Sequence, residues 1–505
     1  MDTVKTEAGS RPEHRGLQYW MERVLKELDS VREAPEADAV HDLRVAIRRC
    51  RSVAAVMEEV DPDSAWQDMR KLGKKLFRQL GELRDTQVLE EWTKTLGPEA
   101  DPIRERLLNA FTAEEKELQQ AALKAVDKFD QKSWRKLERQ LQKRSRLVPA
   151  DKQAAECLTL ERLEAAKELH MRALRAEKPE AWHELRIGVK RFRYAVENLL
   201  PTRYAEWGDN LKRVQDLLGE VHDLDVLATK IGDVAGELTE ARDAWAERIA
   251  AKRHERIEIY RELALGEGGL WQHWRRGLPE GNRLASATQA RLRATARALE
   301  VNTARATLIS RLAMRLFDAL AKWQLELAFS SKDTRKIMLA ASRLHGIGSG
   351  LDAKSPRKAA RKYLKAMALP PSWTEVEWEI MANVVRYHRG ALPDAKQKSF
   401  ARFSPQQQKM VCLLAGVLRL ARAISKSRVA SAVGVRVERS VDAVIVYVPG
   451  MYESEENAAR LAAGKYLLES SLGLPVIVKA APMLPRLVEL PRKEEPPQTT
   501  AAASD

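Results

Sequence analysis

The sequence predicts a mainly α-helical protein: two pseudo-repeated helical bundles, then a second helical domain with a small β-α-β appendage. Three observations predict it. Residues 17 to about 265 are rich in Leu, Ala, Glu, Arg and Lys and poor in Gly, Pro and β-branched runs. Two stretches of this region recur at an offset of about 140 residues. Short β-branched, partly alternating runs follow Ser427.

The elements follow in order. The first long break is Gly266–Gly269 (GEGG) with Gly277–Asn282 (GLPEGN), which places a domain boundary there. A second helical stretch runs from 284 to 428, interrupted at Gly346–Gly350, Pro370-Pro371 and Gly390–Pro393. Val433–Val437, Val441–Val448 and Pro475–Lys479 read as strands, with a helix over Glu455–Ser471 between the last two. The expected domains are therefore 12–278, 284–428 and 429–482, with a disordered tail over 483–505.

Composition narrows the function. The chain has 505 residues and is 44% apolar, enough for sizeable cores and inconsistent with wholesale disorder. Its 87 Lys and Arg against 72 Asp and Glu leave a net charge of +15. Such a balance predicts polyanion partners: nucleic acid, an anionic membrane surface or a phosphate polymer. Three scattered cysteines, Cys50, Cys157 and Cys412, argue against a disulfide framework and a cysteine zinc site, and for a reducing cytoplasm. The N-terminal MDTVKTEAGS has no apolar signal core, and the longest apolar run, near Met410–Leu418, is too short to cross a bilayer, so no membrane insertion is expected.

The repeat carries the chemistry. Residues 41–58 read HDLRVAIRRCRSVAAVME and residues 183–200 read HELRIGVKRFRYAVENLL, an offset of 142. LGELRDTQVL (80–89) is matched by LGEVHDLDVL (218–227), an offset of 138. Together these mark the repeat at about 41–92 and 183–231. On a helix His41, Arg44, Arg48 and Arg51 fall within about 80° of one another, opposite the seam Leu43, Ile47, Cys50, Ala54 and Met57. The second copy repeats both faces: His183, Arg186, Lys190 and Arg193 form the row, and Leu185, Val189, Phe192, Val196 and Leu199 the seam. Lys74 and Lys75 match Lys212 and Arg213 on the next helix of each copy, with Lys71 and Arg78 in the first copy only.

Such rows are usually solvated faces laced with acids at i±4. These carry no acid on the row, and like charges so placed repel unless an anion neutralises them. Matched duplication adds weight to an anion-binding surface. Guanidinium stays charged and grips phosphate oxygens with paired donors, and a histidine beside phosphate is driven toward its protonated donor form. A neutral packing role for His41 and His183 is the alternative.

HDLRVAIRRCR and HELRIGVKRFR, each followed by an LGE…D…VL segment, resemble the signature of the CHAD family (conserved histidine α-helical domain) over residues 12–278. The resemblance implies an all-helical, pseudo-symmetric pair of bundles around a basic channel that binds inorganic polyphosphate, without known catalysis. It implies that His41, Arg44, Arg48, Arg51, Lys74, Lys75, His183, Arg186, Lys190, Arg193, Lys212 and Arg213 contact the polymer. The copies differ where His222 stands in place of Arg84. The ExExK strand of the triphosphate-tunnel domains that often accompany this family is not found.

LAASRLHGIG (339–348), ANVVRYHRG (382–390) and LLAGVLRLARAISKSR (413–428), in that order, are similar to the C-terminal HD-like helical region of the exopolyphosphatase/guanosine pentaphosphatase family. An HD phosphohydrolase needs several His and Asp side chains converging on metal. Here Gly346 follows His345, removing the HD dipeptide, and SGLDAKSPRKAARKYL holds no histidine. Neither catalytic residues nor a metal or other cofactor are expected. Arg343, His345, Arg386 and His388 are candidate secondary phosphate contacts, and Lys354, Arg357, Lys358, Arg361, Lys362 and Lys365 add charge, as a phosphate-chain contact or as a solvated face.

The expected function is polyphosphate binding in the cytoplasm, non-catalytic, serving granule targeting or regulation of polyphosphate-metabolising enzymes. The alternatives are a phosphohydrolase acting on polyphosphate or a hyperphosphorylated nucleotide, and non-specific nucleic-acid binding. With 6% aromatics and no reader module, specific nucleic-acid recognition is not expected.

Overall fold

The structure, a computed structural model, describes residues 16–34, 37–146, 151–176, 178–299, 302–323, 332–427, 429 and 431–482. The tail expected to be disordered, 483–505, and residues 12–15 of the first expected domain lie outside them. The fold is mainly α: among the described residues there are 20 helices and one three-stranded sheet.

The first copy of the repeat is built on α1 (Leu17–Glu33), α2 (Ala37–Met57), α3 (Ser64–Leu72), α4 (Lys74–Leu96), α5 (Pro102–Asp127) and α6 (Gln131–Ser145). The second is built on α7 (Lys152–Ala176), α8 (Pro179–Leu199), α9 (Pro201–Ala235), α10 (Thr239–Ala264) and α11 (Leu270–Arg276). Helix starts follow local chemistry. Asp63, Asp101 and Asp130 accept backbone N–H groups at the first turns of α3, α5 and α6, and proline opens α5, α8 and α9, where its missing N–H costs nothing.

Each copy has its own core. Leu43, Ile47, Cys50 and Ala54 of the α2 seam are buried with Met21, Trp66, Leu76 and Trp134, and Met57 packs at the margin. Leu185, Val189, Phe192 and Val196 of α8 are buried with Trp182, Trp207, Tyr260 and Trp274, with Leu199 packed against them. A third cluster joins the copies, with Leu89, Ile103 and Phe111 of α4 and α5 against Leu224, Leu227 and Trp245 of α9 and α10. Within the first copy, Asp61 is fully buried; it accepts Trp66 Nε1 at 2.8 Å and Arg144 Nε at 2.9 Å.

The remaining helices are α12 (Gly281–Ala298), α13 (Thr303–Lys322), α14 (Lys332–Leu344), α15 (Gly348–Leu351), α16 (Pro356–Ala366), α17 (Glu375–Tyr387), α18 (Lys398–Ala401), α19 (Pro405–Ser425) and α20 (Glu455–Leu472). The chain divides into two compact units, Met1–Thr303 with Arg343–Arg386, and Ala304–Ser342 with Tyr387–Asp505. This division does not follow the boundary read near 280. Ala290, Ala294 and Ala298 of α12 bury against Val60, Ala154 and Leu158, so α12 belongs to the first unit. Gly350 lies so close to the Leu299 carbonyl that a side chain there would collide with it, which seats α15 and α16 in the same unit.

In the second unit α19 and α20 cross closely. A Cβ on Gly416 would meet Leu468 Cα at 2.8 Å, so a larger residue would force the helices apart. Ser404 and Gln407 form a reciprocal capping box at the start of α19. The appendage has β1 (Arg436–Arg439), β2 (Val444–Pro449) and β3 (Val476–Ala481), in the order β1-β2-β3. Strand β2 runs antiparallel to β1 and parallel to β3, with α20 as the crossover, the β-α-β pattern read from the sequence. The first strand starts three residues later than expected, because Gly434, at φ 79°, is still turning the chain. The three cysteines are free, and burial raises the Cys50 and Cys157 thiols far above their ordinary value.

Candidate functional site

The seams of α2 and α8 are held in separate cores, and the two helices pack on each other. Asn198 Nδ2 donates to Ser52 Oγ at 3.3 Å across that contact, and Arg49 pairs with Glu197. The opposite faces of α2 and α8 therefore come together. Their convergence is clearest at Lys190. Burial first, then the charges of Arg186 on its own helix and of Arg48, Arg51 and Arg44 on α2, depress its ammonium from 10.5 to about 8. Four cations from two copies of one motif thus act on a fifth.

Arg44 and Arg51 are also lowered, by burial first and then by neighbours that include Arg48 for Arg44 and Arg70 for Arg51. Aromatic and carbonyl groups steady the row without neutralising it. Lys190 Nζ sits 5.9 Å from the centre of the Tyr194 ring, and the Arg51 guanidinium lies 5.0 Å over Phe77 while donating to the Arg70 carbonyl at 2.8 Å. Arg193 donates to the Tyr204 hydroxyl at 3.4 Å. Among the described residues, Arg48, Arg51, Arg186, Lys190 and Arg193 have no carboxylate within ion-pair distance. The row therefore carries excess positive charge that an anion would relieve.

Acids approach from the companion helices rather than from the rows. Arg44 Nη2 is 3.9 Å from Asp85 of α4. Its counterpart Asp223 on α9 is raised to about 6, mainly by burial, with Asp85 and Glu220 adding to the rise and Arg186 and Arg84 opposing it. A cavity of about 630 Å³ is lined by Arg84, Trp92, Arg186, Lys190, Asp223 and Arg256 among others. A second, of about 570 Å³, is lined by His41, Arg44, Leu80, Arg84 and Gln87 among others. Arg84 borders both, so His41, Arg44, Arg186 and Lys190 line adjoining concavities.

At the position where the copies differ, Arg84 is exposed, whereas the half-buried His222 meets the His183 ring at a tilt of 45°, with Nδ1 atoms 3.4 Å apart. Burial, Arg186 and His183 push His222 down to about 4. Lys74, Lys75, Lys212 and Arg213 lie exposed on α4 and α9. They are not among the charges that dominate at Lys190. Arg84 was marked in the sequence as the counterpart of His222, whereas Asp85, Asp223, Tyr194 and the Arg49–Glu197 pair were not singled out there. Of these missed residues, the two aspartates had a signal in the sequence, their places in the duplicated LGE…D segments.

The four C-terminal candidates are divided between the two units. Arg343 bonds Gln289 and is lowered to about 10 by burial and then by Arg293. His345 is 8% exposed and Arg386 is half-buried, both in the first unit, whereas His388, 4% exposed, falls in the second. Arg419 secures the turn after His388 by donating to the carbonyls of Tyr387, Gly390 and Ala391 at 2.7, 2.7 and 2.9 Å. Among the described residues no group of three or more His, Cys, Asp or Glu is arranged to hold a metal ion, and no helix is long and apolar enough to cross a membrane.

Comparison with curated proteins finds no match. Two family models match, the CHAD domain over residues 16–231 and the Ppx/GppA phosphatase, domain III, over residues 288–448. The first span holds both basic rows and their companion helices, and the second holds the LHGIG and RYHRG segments. The chain thus carries a CHAD domain followed by a Ppx/GppA phosphatase domain III.

Proposed function

We propose that the protein binds inorganic polyphosphate along a basic channel formed where α2 and α8 meet, and that it holds the polymer without turning it over. The observation that carries this reading is the convergence on Lys190 of Arg44, Arg48 and Arg51 from one copy and Arg186 from the other. A linear polyanion with about one charge per phosphate is the kind of ligand that relieves such a row along its length. Binding releases counterions, so affinity falls steeply with salt, by analogy with nucleic acid. His41, Arg193 and the exposed Lys74, Lys75, Lys212 and Arg213 extend the contact on either side. Both domain matches fit a polyphosphate link.

Bound in this way, the chain would associate with polyphosphate granules in the cytoplasm or act on polyphosphate-metabolising enzymes there. Joint reversal of Arg44, Arg48, Arg186 and Lys190 to Glu tests the site. Retention on immobilised polyphosphate is expected to vanish while far-ultraviolet circular dichroism stays unchanged. Retention equal to wild type sinks the reading. Turnover is tested by phosphate release with Mg²⁺ or Mn²⁺. Release at ordinary enzymatic rates, lost in His345→Ala or His388→Ala, would make the protein a phosphohydrolase instead.

A further inference from the structure

The two copies of the repeat part company around one cavity. Val40, at the start of α2, stands where α8 has Trp182, and Arg84 of α4 stands where α9 has His222. Trp182 is buried in the core of the second copy and meets the Tyr260 ring of α10 edge-on at 5.6 Å. Valine lacks the bulk of an indole, and in the first copy Val40 and Arg84 line the same cavity, of about 570 Å³. Its walls are aliphatic: Val31 of α1, Val40 of α2, Leu80 and Leu83 of α4, and Leu123 and Val126 of α5. Val31, Leu80 and Val126 are buried, and Val40 packs at the core margin. The rim is polar, with His41, Arg44 and Arg84 set against Asp38. Arg44 lies 3.9 Å from Asp85, and Arg84 lies 3.1 Å from Glu91.

We propose that this cavity binds a single-chain aliphatic acid, with the tail among α1, α4 and α5 and the carboxylate at Arg44 and Arg84. Three features of the lining choose the class. Among the described residues no Phe, Tyr or Trp lines the cavity, so it offers a nucleobase no stacking surface, whereas the aliphatic walls suit a methylene chain. Arginine grips a carboxylate with paired donors. Asp85 and Glu91 offset part of the charge of the two arginines, so the rim suits a head of one charge rather than a multiply charged phosphate. The volume falls in the ~300–1,000 Å³ range of small-molecule sites. Because Trp182 fills the matching position of the second copy, one site per chain is expected. The site goes beyond the polyphosphate reading and does not rest on it, since aliphatic walls offer nothing to a polyanion.

The test is calorimetric titration of the full-length protein with dodecanoate, kept below the concentration at which it forms micelles. Three proteins are compared: wild type, Val40→Trp, which copies the second repeat, and Leu123→Glu, which sets a carboxylate in the wall at a position 38% exposed. Wild type should bind one dodecanoate per chain, and each variant should bind it at least about tenfold more weakly. Dodecyltrimethylammonium, the same tail with a positive head, should bind wild type at least about tenfold more weakly than dodecanoate does. Variants with wild-type stoichiometry and affinity overturn the site, as does a wild type that takes up no dodecanoate. An ammonium that binds as tightly overturns the ligand class. Circular dichroism checks the fold, and if Val40→Trp does not fold, Leu123→Glu decides. Neither Val40 nor Leu123 is a proposed channel contact, so loss of polyphosphate retention and loss of dodecanoate binding are read separately.

Discussion

Lys190→Met should make the ligand-free protein more stable and a poorer binder of polyphosphate. Methionine keeps the length and apolar stem of lysine and removes the charge. In the fold that charge is held at a cost: its pKa falls from 10.5 to about 8, through burial and then through Arg186, Arg48, Arg51 and Arg44. At about 1.4 kcal/mol per pKa unit, this corresponds to about 3 kcal/mol of unfavourable free energy for the ammonium in the fold. The sign follows from linkage. Because the folded pKa lies below the unfolded one, the penalty is complete below pH 8 and is relieved as pH rises from 8 toward 10.5. Urea denaturation at pH 7 should therefore show the variant more stable than wild type, by up to about 3 kcal/mol, with the difference shrinking by pH 10. Titration with polyphosphate should show weaker binding with a shallower salt dependence. A variant that is less stable than wild type and binds as tightly would refute the idea that the rows strain against each other until an anion arrives.

Asp223, raised to about 6, gives the site a pH dependence of known direction. Its folded pKa exceeds the ordinary carboxylate value, so the fold loses stability as pH rises from about 4 to 6, and a bound polyanion raises the pKa further. Polyphosphate affinity should accordingly strengthen as pH falls from 7.5 to 5.5, and Asp223→Asn should flatten that step; an unchanged step in the variant would remove Asp223 from the site's electrostatics. Asp61→Ala should leave Arg144 and Trp66 Nε1 without their buried acceptor and cost about 3–5 kcal/mol in urea denaturation, while changing polyphosphate affinity little.

The duplication was legible because it is written twice in a helical period. The HDLR and HELR segments place apolar residues at spacings that close over a core, and every seam position read that way is buried or packed at a core margin. The appendage was legible to within three residues, because alternation in β2 has no helical explanation. What could not be read was the position of partners far apart in the chain. Arg49 and Glu197 look like ordinary surface charges until α2 meets α8. Asp85 and Asp223 stand in the companion motifs, yet their approach to Arg44 and Arg186 depends on how α4 and α9 pack. The return of residues 343–386 to the first unit rests on contacts such as Gly350 against the Leu299 carbonyl, which no local pattern announces.

The mutual packing of α2 and α8 has a consequence for the shape of molecule that fits. The matched helices carry rows of the same charge order, His-Arg-Arg-Arg on α2 and His-Arg-Lys-Arg on α8. Inorganic polyphosphate has no head or tail along its interior, so if it is the ligand, as proposed, it should enter in either sense.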